Sequence, residues 1–248
     1  MAELLTRLLQ ELIHADARAC AALPERRVQL LDAHRCERYF DGWPPGFRPE
    51  SYVLPRLMKL RESGMPQHDY WESLFDVPLI VERFGFNRVR GNVAELGCGY
   101  GTFTLPVAAS IGGVVHTFDI EPEMAERTST RAREAGLTNV RIVTRDVAAD
   151  GFDLDPGSCD AVLLFNILHG EHPVELLREA ERLLGLNGFV AVTHWRTDIQ
   201  TPRGPPADIR PSPAQVVKWA AEAGMSSVTP TGAMDLPPWH YGLKLTRT

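Results

Sequence analysis

From residue 92 onward, short apolar runs alternate with punctuated amphipathic stretches, and few folds accommodate that pattern. Val93–Leu96, Val114–Ile120, Val140–Asp146, Asp160–Ile167 and Phe189–Trp195 read as strands. Between and after them, Thr102–Ser110, Pro122–Ala135, Pro173–Leu184 and Ser212–Ala223 read as helices. Pro122 and Pro213 suit a first helical turn, and Gly136, Gly185 and Gly224 suit helix ends. Ser212 and Gln215 form a capping-box pattern. The fourth run, with AVLLFN at its centre, is apolar on both faces, as in parallel strands covered on both sides. Val228–Thr231 and Tyr241–Arg247 read as two more strands. The alternation predicts an open, doubly wound α/β sheet that binds ligands at the carboxyl ends of its strands.

Before residue 90 the composition differs. Leu4, Leu5, Leu8, Leu9, Leu12 and Ile13 recur at helical spacing, Pro24 interrupts, and Val28, Leu30 and Leu31 begin a second short helix. Residues 41–55 form a proline-rich connector. The expected division is therefore a helical extension and connector over 1–55 and a main domain over 56–248. The extension serves as a packed helical hairpin, a lid or a homodimer arm. Residues 56–87 hold two short helices, the second running through DYWESLFDVPLIVERFGF with Trp71, Leu74 and Phe75 on one face.

The 248 residues suit one α/β domain with additions. With 26 Lys+Arg against 32 Asp+Glu the net charge is −6, which argues against a dedicated nucleic-acid binder. The four cysteines (Cys20, Cys36, Cys98, Cys159) contain no CxxC pair and read as reduced thiols of a cytoplasmic protein. His14, Cys20, His34 and Cys36 match no zinc spacing, so no metal is expected. The opening MAELLTRLLQELIHADARAC reads as neither signal peptide nor membrane span.

The strongest motif is Val93-Ala94-Glu95-Leu96-Gly97-Cys98-Gly99-Tyr100-Gly101: an apolar strand carrying an acidic residue, then a G-x-G-x-G loop entering a helix. Glycines there permit a sharp turn and close approach of a ligand. The dinucleotide fingerprint G-x-G-x-x-G does not fit, because Gly101 comes one residue early, and no P-loop lysine follows. Cys98, between glycines, reads as a small filler rather than a nucleophile.

This block resembles motif I of the class I S-adenosylmethionine-dependent methyltransferases. Asp119 in HTFDI and Asp146 in VTRDV stand where that family places its ribose and adenine contacts. GSCDAVLLFNILH resembles the fourth-strand motif bordering the transfer site, and LLGLNGFVAVTHW the helix–turn–fifth-strand block. The likeness covers about residues 70–248, with nothing comparable over 1–55. It implies a Rossmann-like, mostly parallel seven-stranded sheet with an antiparallel last strand. It also implies S-adenosylmethionine as cofactor and S-adenosylhomocysteine as product. The implied cofactor residues are Glu95, Gly97, Gly99, Gly101, Asp119, Ile120, Asp146, Val147 and Asn166. Without a ligand, Asp119 would read as a helix cap and Asp146 as a solvated loop carboxylate.

Acceptor chemistry is expected after strands four and five. His169 is the first choice for general base and His194 the second, since neutral imidazole is present at pH 7. Packing or backbone-bonded histidines are the plain alternatives. Trp195 would stack on a flat acceptor or close the core. Arg196 and Arg203 would bind a substrate anion or lie solvated on the surface. Tyr70 and Trp71 would cover the cofactor. FNIL replaces the N-P-P-[YF] motif of amine methylation on bases and glutamine. Together with the acidic balance, this favours a small or medium-sized organic acceptor and argues against nucleic acid and membrane partners. The nearer likeness is to the ubiquinone/menaquinone-biosynthesis type. Alternatives are a protein or RNA methyltransferase, or a non-catalytic cofactor-binding module acting through partners.

Overall fold

The structure is a computed structural model and describes residues 65–229 and 232–248. The expected N-terminal helices, the connector and the boundary near residue 55 lie outside the described residues. Among the described residues, eight strands form one sheet: β1 (Asn92–Leu96), β2 (Val115–Asp119), β3 (Val140–Thr144), β4 (Cys159–Phe165), β5 (Leu184–Trp195), β6 (Met225–Ser227), β7 (Met234–Leu236) and β8 (His240–Arg247). Their order is β3-β2-β1-β4-β5-β8-β6, with β7 also paired to β8. The first five strands run parallel, and β8 runs antiparallel to β5, β6 and β7.

The sheet is thus mostly parallel with an antiparallel last strand, as expected, but has one strand more than the seven predicted. The sixth strand also lies earlier than Val228. Gly224, at φ 82°, turns the chain out of the preceding helix straight into Met225. This leaves room for β7 before the return along β8.

The helices follow the punctuation. Among the described residues they are α1 (His68–Glu72), α2 (Val77–Phe84), α3 (Thr104–Ser110), α4 (Pro122–Glu134), α5 (Val147–Asp150), α6 (Pro173–Leu183) and α7 (Pro213–Glu222). The helix expected over DYWESLFDVPLIVERFGF is broken into α1 and α2. The Asp76 carboxylate accepts from the Leu79 amide at 3.0 Å, and Pro78 sits in the first turn of α2, so a new helix begins there. Gly185 does not stop α6, since Leu184 is already extended and opens β5. Ser212 accepts from the Gln215 amide at 3.2 Å and caps α7, as its pattern predicts.

Alternation along the strands divides the core in two. Ala94, Val162, Leu164, Val190 and Val192 face α6 and α7, joined there by Leu177, Leu183, Val216 and Ala220. Val93, Ala161, Leu163, Phe165 and Ala191 face the other way, against Ile80, Phe84, Phe103 and Val107 of α2 and the α3 segment. Burying both faces of β4 explains its uninterrupted apolar run. The neighbours β1 and β4 are where the chain reverses its direction of winding, and such a switch point opens a crevice at the carboxyl edge. Among the described residues, no helix is long and apolar enough to cross a membrane.

Candidate active site at the carboxyl edge of the sheet

The loop after β1 owes its shape to backbone conformations that glycine tolerates. Gly99 and Gly101 take φ of 50° and 76°. A Cβ on Gly101 would come within 2.5 Å of Leu105 Cδ1. The loop is tied to β2: the Gly97 amide donates to the Phe118 carbonyl at 2.7 Å, and the Gly99 amide donates to Asp119 Oδ2 at 2.9 Å. Asp119 Oδ1 accepts from the Glu121 amide at 2.9 Å. The carboxylate is 6% exposed and retains acceptor capacity beside the loop. Exposed Ile120 follows it and offers an apolar surface next to a charged one.

Glu95 is 2% exposed and lies beneath the loop. Its Oε2 accepts from Thr104 Oγ1 at 2.5 Å and Thr117 Oγ1 at 2.7 Å. Burial pushes its carboxyl up to about 7, although the two hydroxyls oppose the shift. Glu95 thereby joins β1, β2 and the first turn of α3, the frame from which the loop hangs. Cys98 Sγ lies 3.5 Å from Asp119 Oδ2, and burial with that neighbouring carboxylate drives the thiol up, so it stays protonated and inert.

The chain before β1 crosses this loop. The Tyr100 hydroxyl donates to the Pro66 carbonyl at 2.8 Å, and Arg131 pairs with Glu72 at 2.9 Å while also donating to the Tyr100 carbonyl. A Cβ on Gly99 would meet Met65 Cε at 3.1 Å. The expected cover is therefore supplied by Met65 and Pro66. Tyr70 is exposed, and Trp71 packs edge-on against Phe75 at 4.9 Å. Asp146 caps α5, accepting from the Ala149 amide at 3.2 Å, and Val147 is buried behind it. The four residues of α5 are too few for a helical period to register in the sequence.

Beyond β4 the polar groups are less completely paired. Asn166 is left-handed at φ 57°. Its amide donates to the Thr193 carbonyl at 2.7 Å, yet both polar atoms of its side chain are buried without a partner. Ile167, next in sequence, reaches the Gly97 side of the crevice, where its Cδ1 would stand 3.3 Å from a Cβ on that glycine. His169 Nδ1 lies 3.3 Å from Nε2 of fully buried His194. Burial and the His169 ring bring His194 down to about 3, and burial with the Arg210 charge lowers His169. Both rings are neutral at pH 7. His194 Nδ1 and Thr193 Oγ1 are further buried atoms without partners.

Two substrate expectations, for Trp195 and Arg196, need correction. Trp195 is 2% exposed, in ring contact with His240 at 4.2 Å and Phe75 at 6.2 Å, so it closes the core and presents no face for stacking. Arg196 makes a two-pronged pair with Asp198, at 2.9 and 2.7 Å, and also reaches Asp235 at 3.4 Å, so its charge is matched within the protein. Arg203 contributes its carbonyl, which accepts from Thr201 Oγ1 and Arg210. The cation that organises this loop is Arg210. It donates to the carbonyls of Pro205 (2.7 Å), Arg196 (3.3 Å) and Arg203 (3.2 Å), and to Thr201 Oγ1 (2.7 Å). No short-range sequence pattern marks an arginine that binds carbonyls up to fourteen residues away.

The residues fit S-adenosylmethionine. A glycine cradle, an anchored carboxylate with spare lone pairs, an exposed apolar neighbour and an Asn166 amide lacking partners match its charged amino-acid end, ribose diol and flat base. Among the described residues, no cluster of three or more His, Cys, Asp or Glu side chains is placed to hold a metal ion.

Residues 93–188 match the family described as "Methyltransferase domain". Among curated proteins, aklanonic acid methyltransferase DauC of Streptomyces sp. (strain C5) is 37% identical over 79 residues, covering 29% of this chain and 36% of that protein. The catalytic subunit of a tRNA (adenine(58)-N(1))-methyltransferase from Cryptococcus neoformans var. neoformans serotype D (strain JEC21 / ATCC MYA-565) is 32% identical over 111 residues, covering 44% of this chain and 25% of that protein. The chain thus spans about a quarter to a third of these relatives' length. Among solved structures, a SAM-dependent methyltransferase from Aquifex aeolicus superposes with a TM-score of 0.64 at 20% identity, covering 82% of this chain and 100% of that one. A geranyl diphosphate C-methyltransferase from Streptomyces coelicolor A3(2), solved with S-adenosyl-L-homocysteine, gives 0.58 at 15% identity, covering 75% and 85%. The ubiquinone/menaquinone-biosynthesis type is not singled out by these relatives. With the motif I loop on β1, the carboxylate ending β2 and this sheet order, residues 93–188 match a methyltransferase domain, and the fold is the one seen in solved S-adenosylmethionine-dependent methyltransferases.

Proposed function

We propose that this protein transfers a methyl group from S-adenosylmethionine to a small or medium-sized organic acceptor. The observation that carries the reading is the joining of two unlike half-sites at one sheet edge: the Gly97–Gly101 loop bound to Asp119, and the Asn166–His169–His194 group after β4 and β5. The cofactor, when bound, supplies an electrophilic methyl carbon on a sulfonium. The protein's task is then alignment and, where the acceptor carries a proton, its removal.

Gly97 and Gly99 let the backbone lie against the methionine portion, and Asp119 accepts from the ribose hydroxyls. The unpaired Asn166 amide gains partners when the crevice fills. His169 is the general base. With its Nδ1–H donated to His194 Nε2, its Nε2 lone pair faces outward to take a proton, and burial keeps the ring neutral. His194 is a positioning residue that selects this tautomer. The RNA reading receives support from the tRNA-methyltransferase relative but is opposed by the −6 net charge.

Calorimetric titration with S-adenosylmethionine and S-adenosylhomocysteine tests the reading. Micromolar binding is expected. Asp119→Ala should weaken it tenfold or more, since a charge-assisted hydrogen bond contributes roughly 1.5–3 kcal/mol. Absence of heat with either ligand, in folded protein, would sink the proposal.

A further inference from the structure

Beside His169 lies a cavity of about 550 Å³, bounded by the loop after β4, the segment Ala207–Ser212 and the first turns of α6 and α7. Its apolar walls include Leu168, Ile209 and the partly buried Trp219. Its polar wall includes Arg210, Ser212 and Gln215, and exposed Asp208 stands at the rim.

Arg210 differs from the cations around it. Arg196 is matched by Asp198 and Asp235, whereas the partners of Arg210 are three carbonyls and a hydroxyl, all uncharged. Those bonds occupy Nε, both protons of Nη1 and one of Nη2, leaving one Nη2 proton. Burial alone shifts this guanidinium, downward, with no carboxylate raising it. Its charge instead lowers His169, His194 and His240. One face of the group lies 5.9 Å over the Trp195 ring. The amino ends of α6 and α7, where helices favour negative charge, border the same space. A half-buried cation whose protein partners are all neutral is open to pairing with an anion.

We propose that this cavity is an acceptor subsite for an anionic oxygen group, carboxylate or phosphate, carried on an apolar body, with Arg210 as its counter-charge and His169 at its inner wall. The inference rests on the methyltransferase reading and names the class of its acceptor. The anion engages Arg210 and the first turn of α7, while Trp219, Leu168 and Ile209 hold the apolar body. The atom to be methylated is thereby directed toward the His169 side of the cavity.

Removing Arg210 would also loosen the Arg196–Arg210 loop, so the principal variant is Gln215→Glu. It adds a negative charge to the cavity wall and completes a Ser–x–x–Glu capping box, which α7 accommodates. The 248-residue protein saturated with S-adenosylhomocysteine is titrated with 2-naphthoate, with its neutral isostere 2-naphthamide and with inorganic phosphate. The expected result is that naphthoate binds at least tenfold more tightly than the amide. Gln215→Glu and Arg210→Gln should each weaken it tenfold or more while S-adenosylhomocysteine affinity stays within twofold. Phosphate binding as tightly as naphthoate would assign the subsite to phosphate; naphthoate alone would assign it to carboxylate. Equal affinity for acid and amide, no binding of either anion, or anion binding indifferent to Gln215→Glu would overturn the proposal. If S-adenosylhomocysteine itself does not bind, the methyltransferase reading fails, and the anion titration of cofactor-free protein still decides the subsite.

Discussion

Asp119 uses both of its oxygens on the amides of Gly99 and Glu121, and the loop above it is fastened by the Thr128 hydroxyl on the Gly99 carbonyl at 2.8 Å. Across the switch point, Asn166, Thr193 and His194 keep buried polar atoms without partners, and Arg210 keeps an unmatched charge. One half of the carboxyl edge thus has its carboxylate and loop amides bonded within the protein, with the Thr102 hydroxyl left unpartnered; the other half carries more such atoms. An unpaired buried polar atom costs on the order of 1–3 kcal/mol, so the second half is held in place by its surroundings. Those surroundings are packed aromatic rings. Phe165 at the end of β4 packs against Phe84 and Phe103, and His240 stacks on Phe75 at 4.4 Å beneath the end of β5.

The sharpest way to break this comparison is to remove the proposed base. His169→Gln should reduce kcat by roughly 10²–10⁴-fold, with S-adenosylhomocysteine affinity unchanged by calorimetry. A loss of cofactor affinity instead would mean that the two halves are not separable. Because burial lowers His169 below 6.5, wild-type kcat/KM should rise with pH through that lowered value and be flat above it.

Stability should respond to pH with opposite sign in the two halves. Glu95, raised from 4.5 to about 7, holds its proton longer in the folded state. Its contribution is present below pH 4.5 and is lost as pH rises to 7. His194 and His240, lowered from 6.5 to about 3, contribute above pH 6.5 and lose that contribution as pH falls. Each effect is on the order of a few kcal/mol. Glu95→Gln should therefore remove the loss above pH 4.5 and leave the acid-side loss intact, as read by thermal melts from pH 4 to 8. Melts of parallel shape for both proteins would contradict the assignment.

The smallest effect expected is that of Gly101→Ala. A left-handed alanine costs roughly 1–2 kcal/mol, and its methyl would crowd Leu105 and Thr128. The melting midpoint should drop by a few degrees and cofactor affinity severalfold, while naphthoate binding stays intact.

What the sequence disclosed follows the same division. The loop, Asp119 and the first five strands are written in adjacent residues, because a turn, a cap or an apolar alternation is a short-range pattern. Trp195 and Arg196 are not legible in this way because their surroundings come from elsewhere: His240 and Phe75 enclose the indole, and Asp235 helps neutralise the guanidinium. The same holds for Arg210. Its partners are backbone carbonyls, which any residue supplies. The break between α1 and α2 was legible in Asp76 and Pro78, but the apolar periodicity of the stretch outweighed those two signals.

The far border of the sheet has a further consequence. One flank of β8 is covered by β5, and the other is shared by Met225–Ser227 and Met234–Leu236, each three residues long. An invading strand from a second molecule therefore finds no long straight row of backbone donors and acceptors to template on. At the opposite border, β3 is five residues long, with exposed Arg141 within it. Charge and brevity are the devices by which sheet edges avoid self-association. A chain built this way can display a wide parallel sheet and still resist the edge-to-edge growth that ends in aggregation.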